Sequence, residues 1–557
     1  MKTYQQLALL LADAGVTTVF GVMGDGNMHW IAAYREQPGC RWRPAWHEAG
    51  AVWMADGYAA ATGDVGVATV TMGPGLAQSL AALATAVRVR RPLLLITAAL
   101  PTRVPPDAQD SRQRDLVAAT GARYVAARSA GEIPTALAIA LESARAGDVT
   151  VLAVDLDVFL EPADGARAAV RGTGTRAARH SDPVALAAAA DALRAATAPM
   201  VVIGRGVRNA DCLDAALQLG RRVGAVFATT LGGRTALPDE PFDVGVIGMM
   251  ADPTARALAG RADVVLVLGA ALDRYNCDGG DFARNAHVIR VDSRPPDELW
   301  SPSERTTWLT GSVSDIVPAL TARLPEAAAR PPEAAGIRTP EVRAALAAER
   351  ARQDALADLR PADGANPWAM VAELDGALPA DAYVVVGIGH FWYFVAPYLR
   401  PAPRRTFHFA CGFGLIGQAL PVAVGAAAAV GEQHPVVAIE GDGSLPMNVQ
   451  ELQAAVRHGV DLLLVVMNNQ AYGSEYHKLA LADLDVAGSE FDTVPFDVVE
   501  VSRAMGATAR RAADPDELGA ALRELLPLPG VRVIDSQISR STLSEVYERQ
   551  HGRPANH

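Results

Sequence analysis

Val436-Val437-Ala438-Ile439-Glu440 runs into Gly441-Asp442-Gly443-Ser444, an amphipathic segment comes next, and Leu462 to Met467 leads to Asn468-Asn469. Two apolar, β-branched runs flank a stretch with Val449, Leu452 and Val456 at helical spacing. The pattern predicts a strand–loop–helix–strand unit with both polar motifs just past the carboxyl ends of parallel strands. Open α/β sheets bind their ligands there. Gly441 and Gly443 predict a tight turn that lets the backbone approach an anion, with amides supplied by the start of the helix. Asp442 offers one hard carboxylate and the Asn pair neutral amide oxygens, a set that suits Mg²⁺ beside a phosphate.

A Gly-Asp-Gly loop and an Asn-Asn pair at this separation resemble the diphosphate-binding motif of thiamine diphosphate enzymes, in the acetolactate synthase and 2-oxo acid decarboxylase branch. The resemblance covers nearly the whole chain. It implies that Asp442, Asn469 and the carbonyl of Ala471 hold the metal. Gly441, Gly443, Ser444 and Tyr472 would then border the diphosphate.

Other stretches extend the resemblance. Gly412 to Pro421 is similar to the family's pyrimidine-recognition segment, in which the Gly414 carbonyl and the Ile416 side chain would hold the cofactor bent. Ala45-Trp46-His47-Glu48-Ala49-Gly50-Ala51 resembles the segment whose acid hydrogen-bonds the pyrimidine and assists loss of the C2 proton. The resemblance implies that role for Glu48, and a desolvated carboxyl suits it. Met23 to His29 opens on Gly24-Asp25-Gly26-Asn27, similar to a pyruvate decarboxylase loop that faces the thiazolium. Gln113 falls where the family has a Gln facing substrate, and His390 where polar residues meet the diphosphate. Glu475 lies six positions beyond Asn469, where pyruvate decarboxylases have an acid and synthases an apolar residue.

The loop Met72-Gly73-Pro74-Gly75 is set in a similar frame. From Val87-Arg88 to Leu93 the spacing equals that from Val456-Arg457 to Leu462, which predicts an internal repeat. Gly73 is therefore included among the cofactor-binding candidates. At 557 residues the chain should hold about three domains. The expectation is α/β throughout, with three doubly wound parallel-sheet domains: pyrimidine-binding (1–165), central and Rossmann-like (183–325), and diphosphate-binding (365–545). Residues 166–182 read as a linker, and 323–367 as a second linker with one helix. FAD binding by the central domain, through Gly204-Arg205-Gly206 and Leu272-Asp273-Arg274, is an option the sequence does not support.

With 50 basic and 62 acidic residues the net charge is 50 − 62 = −12, and no basic block stands out. Nucleic acid is excluded as a partner on that ground. No uncharged apolar stretch of about 20 residues is present to span a membrane. Cys40, Cys212, Cys277 and Cys411 lack metal-ligand spacing and fit the reduced thiols of a cytoplasmic protein.

The resemblance thus implies a thiamine diphosphate and Mg²⁺ enzyme acting on a small 2-oxo acid. After loss of CO₂ the remaining fragment is captured by a second carbonyl, as in an acetolactate synthase-like carboligase, or protonated, as in a decarboxylase or C–C lyase. A non-catalytic regulatory relative is the reading of another class, and intact Glu48, Asp442 and Asn469 argue against it. The family builds its site between two subunits, so a homodimer, or a tetramer of two dimers, is expected.

Overall fold

The computed structural model describes residues 1–100, 109, 111–163, 182–294, 296, 299–325, 337–402, 404–491 and 496–552. Three six-stranded sheets carry the described residues, and every strand pairing in them is parallel. The first contains β1 (Thr18–Gly21), β2 (Arg41–Pro44), β3 (Gly66–Thr69), β4 (Leu93–Ala99), β5 (Arg123–Ala127) and β6 (Val149–Asp155). The second contains β7 (Pro199–Ile203), β8 (Val226–Thr229), β9 (Asp243–Val246), β10 (Val264–Leu268), β11 (His287–Asp292) and β12 (Thr306–Thr310). The third contains β13 (Tyr383–Val386), β14 (Thr406–Phe409), β15 (Val436–Gly441), β16 (Leu462–Asn468), β17 (Thr508–Ala512) and β18 (Val531–Gln537). Their inner strands are almost entirely buried, as expected when helices cover both faces, and their edge strands are half-buried.

The strand orders carry the repeat. The first sheet runs β2-β1-β3-β4-β6-β5 and the third β14-β13-β15-β16-β18-β17, the same order displaced along the chain. The loop after β3 is therefore the counterpart of the loop after β15. The second sheet, β12-β11-β10-β7-β8-β9, has the Rossmann order read from its other edge. The linker expected over 166–182 falls, apart from Asp182, outside the described residues. The one helix expected between 323 and 367 is present at Pro340–Ala355.

Five helices frame the candidate site and its surroundings: α1 (Met28–Arg35), α2 (Glu48–Thr62), α3 (Ala419–Val430), α4 (Gln450–His458) and α5 (Gly473–Leu481). Helix α2 stops at Gly63, whose φ of 75° closes it with a left-handed residue. It packs against α3, and one hydrophobic core runs through both the first and third sheets. The helices meet backbone to backbone. A Cβ on Gly57 would lie 1.9 Å from the Val422 carbonyl oxygen, and one on Gly425 1.8 Å from that of Met54. Gly425→Ala should therefore cost about 2–3 kcal/mol, the scale of a forced core overlap, read as a lower urea midpoint. An unchanged midpoint would mean that the helices separate freely.

Candidate cofactor and metal site

Strand register brings the two polar motifs together. Gly441 pairs with Met467, so Asp442 leaves β15 beside Asn468 and Asn469 at the end of β16. Asp442 is buried, and its Oδ1 accepts a hydrogen bond from the Asn469 amide at 3.3 Å. Its Oδ2 is also buried and has no hydrogen-bond partner among the described residues. Burial pushes this carboxyl up to about 7, and the nearby Asp535 adds to the effect. A buried carboxylate with one oxygen unmet is costly unless a cation arrives.

The loop differs from the sequence expectation in one respect. A 3₁₀ turn, Leu445–Met447, separates it from α4, so its amides do not come from the start of that helix. Pro446 in this turn has no N–H to give. Neither Gly441 nor Gly443 has positive φ either. Their smallness serves close packing: a Cβ on Gly443 would stand 2.9 Å from the Tyr472 ring and 3.4 Å from the Ala471 carbonyl oxygen. One on Gly441 would meet the Phe391 ring at 3.0 Å. Between Asn469 and Ala471, Gln470 takes a left-handed backbone at φ 55°.

The two asparagines have divided roles. Asn468 Nδ2 donates to Asp535 Oδ1 at 2.8 Å, and its own Oδ1 accepts from the Gln470 amide at 3.0 Å. It is thus committed to the strand end. Asn469 lies against Gly473, where a Cβ would be 2.5 Å from its Nδ2. Asp535 also holds Gln537 and Arg511, and Arg540 Nε donates to the Asn469 carbonyl at 3.1 Å. Asp442, Asn468, Gln470, Phe491 and Arg511 are among the residues that line a cavity of about 190 Å³. Ser444 Oγ donates to the buried Glu440, which burial raises to about 7, and the same carboxylate accepts from the Ala419 amide. Gly414 adopts φ 76° on an exposed turn, and Ile416 is half-buried beside it. Asn448 Nδ2 donates to the Gly417 carbonyl and ties that turn to the Asp442 loop.

In the first unit, Glu48 is the first residue of α2 and is half-buried. Its carboxylate would lie 3.6 Å from a Cβ on Gly75, in the loop that repeats the Asp442 loop. Sequence reasoning missed its neighbour Glu451. That buried carboxylate accepts from the amides of Trp46 and His47 at 3.2 and 2.9 Å, fixing the segment that leads into Glu48. Burial raises Glu451 to about 7 from an ordinary 4.5. Folding therefore favours its protonated form. The stabilisation is complete below pH 4.5 and is lost as pH rises through about 7, on the order of 3 kcal/mol. Glu451→Gln should flatten the fall in urea stability between pH 5 and 8. Parallel curves for variant and wild type would contradict this.

Gln113 braces the repeated loop: its Oε1 accepts from the Gly73 amide at 3.1 Å and its Nε2 donates to the Ala98 carbonyl at 2.9 Å. Both ends of the amide are thus bound to backbone, although the residue also lines a cavity of about 210 Å³. Asp25 is exposed, in a loop held by Asn27, whose side chain bonds the Gly24 amide and the Val22 carbonyl. Glu475 is exposed on α5 with Lys478 at 3.7 Å. No hydrogen bond or ion pair joins Asp25 to Glu475 among the described residues. His390 is buried behind Gly473, among the rings of Phe394, His477 and Tyr547. Burial and the neighbouring His477 hold it well below the usual imidazole range.

The central sheet uses its glycines for packing. A Cβ on Gly204 would lie 2.3 Å from the Gly269 carbonyl oxygen, and one on Gly206 2.7 Å from the Gly269 Cα. Arg205 Nη2 donates to the Val89 carbonyl of the first unit at 2.6 Å, and Arg208 Nη1 to the Phe407 carbonyl of the third at 2.9 Å. Asp273 caps a turn through the Asn276 amide. Arg205 and Arg208 thus tie the central unit to the other two.

A duplicated α/β unit thus carries a buried, unmet carboxylate at a glycine-rich strand end. The thiamine pyrophosphate enzyme models match in three parts: the N-terminal TPP binding domain over residues 1–117, the central domain over 186–320 and the C-terminal TPP binding domain over 387–536. A probable 2-ketoarginine decarboxylase of Pseudomonas aeruginosa is 32% identical over 550 residues, covering 95% of this chain and 93% of that protein. A sulfoacetaldehyde acetyltransferase of Alcaligenes xylosoxydans is 25% identical over 544 residues (92% and 88%). The acetolactate synthase isozyme 3 large subunit of Escherichia coli is 28% identical over 542 residues (93% and 90%). The chain belongs to the thiamine pyrophosphate enzyme family. It is an enzyme of the branch that decarboxylates or carboligates, and among the described residues no helix is long and apolar enough to cross a membrane.

Proposed function

We propose that this enzyme binds thiamine diphosphate with Mg²⁺ and decarboxylates a 2-oxo acid. The observation that carries the reading is the buried, unpartnered Asp442 Oδ2 beside Asn469 and the Ala471 carbonyl. These atoms fit a hard cation that takes one carboxylate, neutral oxygens and diphosphate oxygens. Among the described residues no three His, Cys, Asp or Glu side chains cluster, so amide and carbonyl oxygens must complete the protein's share. Gly441, Gly443 and Tyr472 border the diphosphate, Ser444 and Glu440 brace the loop, and His390 backs it through Gly473. Gly414 and Ile416 border the pyrimidine, and Gly73, held by Gln113, shapes the loop beside Glu48. When bound, the cofactor supplies the electron sink for loss of CO₂. Glu48 holds or releases the proton at the pyrimidine edge.

Among the described residues the cavity at Asp442 is lined by the third unit alone, without Glu48. This supports a homodimer, or a tetramer of two dimers, in which Glu48 of one copy faces Asp442 of the other. In such a pair Asp25 and Glu475 would flank the substrate. Two carboxylates at the rim favour protonation and release of an aldehyde over capture of a second 2-oxo acid. They also suit a substrate with a cationic side chain, in keeping with the named activity of the Pseudomonas relative. Incubation with 2-oxo-5-guanidinovalerate should yield the aldehyde, and Glu475→Gln should lower its rate about tenfold or more with cofactor binding intact. Accumulation of acetolactate from pyruvate alone would instead establish the acetolactate synthase-like carboligase.

A further inference from the structure

A third cavity, of about 510 Å³, opens along β2, the edge strand of the first sheet, where it faces the end of α4. Arg35, Arg41, Arg43, Arg457 and His458 line it with Met23, and no carboxylate does among its described lining residues. In a chain of net charge −12 this concentration of cations is against the overall balance. Arg35, Arg41 and Arg457 are exposed and make no hydrogen bond or ion pair among the described residues.

Arg43 and His458 form the floor. Arg43 Nη1 donates to the His458 carbonyl at 3.2 Å, and His458 Nε2 donates to the Pro44 carbonyl at 2.9 Å. The Arg43 Nε and the His458 Nδ1 are buried and have no partner among the described residues. Glu432 acts on Arg43 from outside the lining, and a fixed, partly desolvated guanidinium ringed by three more that lack partners is a site for an anion of more than one charge. Guanidinium groups pair with phosphate oxygens through two parallel bonds, which makes arginine the side chain suited to such a ligand.

We propose that this groove binds the diphosphate group of a small organic phosphate, at a place separate from the Asp442 loop. The site touches two segments that lead to the proposed chemistry. Met23 starts the loop that carries Asp25, and Arg43-Pro44 runs directly into Trp46-His47-Glu48. An occupant here would hold both segments at once and so act as an effector of turnover.

The probe is inorganic pyrophosphate, titrated by calorimetry into enzyme saturated with thiamine diphosphate and excess Mg²⁺, so that the Asp442 loop is already filled. One further equivalent should bind per chain, more weakly as salt rises. Arg41→Ser with Arg457→Ser should weaken it by about ten- to a hundredfold, with the thermal midpoint and thiamine diphosphate affinity unchanged. Arg41→Lys with Arg457→Lys should give an intermediate loss. Equal affinity in the serine variant, or no wild-type binding at low salt, would overturn the proposal and leave the arginines as guards of an exposed strand edge. Dissociation of the serine variant in sedimentation would also overturn it and assign the groove to contact with a second copy. Because cofactor affinity is measured separately, failure of this site and failure of the Asp442 assignment are distinguishable.

Discussion

Glu48→Gln is expected to lower kcat by about 10²–10⁴-fold, the usual contribution of a positioned acid–base group, while thiamine diphosphate affinity stays within a fewfold. The substitution keeps shape and hydrogen-bonding reach and removes only the ability to hold and release a proton. The surroundings of Glu48 will not rearrange to compensate. His47 caps α2 by accepting from the Ala49 amide at 3.1 Å, and Glu451 pins the Trp46 and His47 amides from the third unit. The discriminating measurement is hydrogen–deuterium exchange at cofactor C2, monitored without substrate. Exchange should slow by a factor similar to that in kcat. Wild-type exchange in the variant would remove Glu48 from activation and leave it as a helix-start acid.

Much of this architecture is legible in the sequence because it rests on local signals. Apolar β-branched runs, strand-end glycines and the equal spacing from Val87 and Val456 to the next leucines anticipate both the parallel sheets and the repeat. The Asp442 loop is legible for the same reason, since its two halves lie on one strand–helix–strand unit. What escapes a linear reading is held by distant partners. Glu451 reaches Trp46 across 405 positions, Asp535 reaches Asn468 across 67, and Arg540 reaches Asn469 across 71. Periodicity cannot register such pairs. The start of α4 departs from expectation because Val449 fits helical spacing while the chain before it is still in a 3₁₀ turn. His390 is enclosed by rings from α5 and from near residue 547, which no pattern around residue 390 reveals.

Asp442→Ala should abolish Mg²⁺-dependent retention of thiamine diphosphate, weakening it by about a hundredfold or more at neutral pH. Taking away one partner of a buried charge pair costs about 3–5 kcal/mol, and 1.4 kcal/mol is tenfold in affinity. The sign of the effect on the protein itself should be opposite. In the absence of cation the wild-type chain buries a carboxyl raised to about 7 with one oxygen unmet, so removing it relieves a cost. The cofactor-free variant should therefore unfold at a urea concentration equal to or above that of wild type. The order should reverse once Mg²⁺ and thiamine diphosphate are added, because only wild type gains the binding free energy. Asp442→Asn keeps the bond from the Asn469 amide and separates lost charge from lost shape. Calorimetry showing unchanged cofactor affinity in the alanine variant would sink the assignment of Asp442. A variant already destabilised without cofactor would show that the carboxyl serves the loop's own fold rather than a cation.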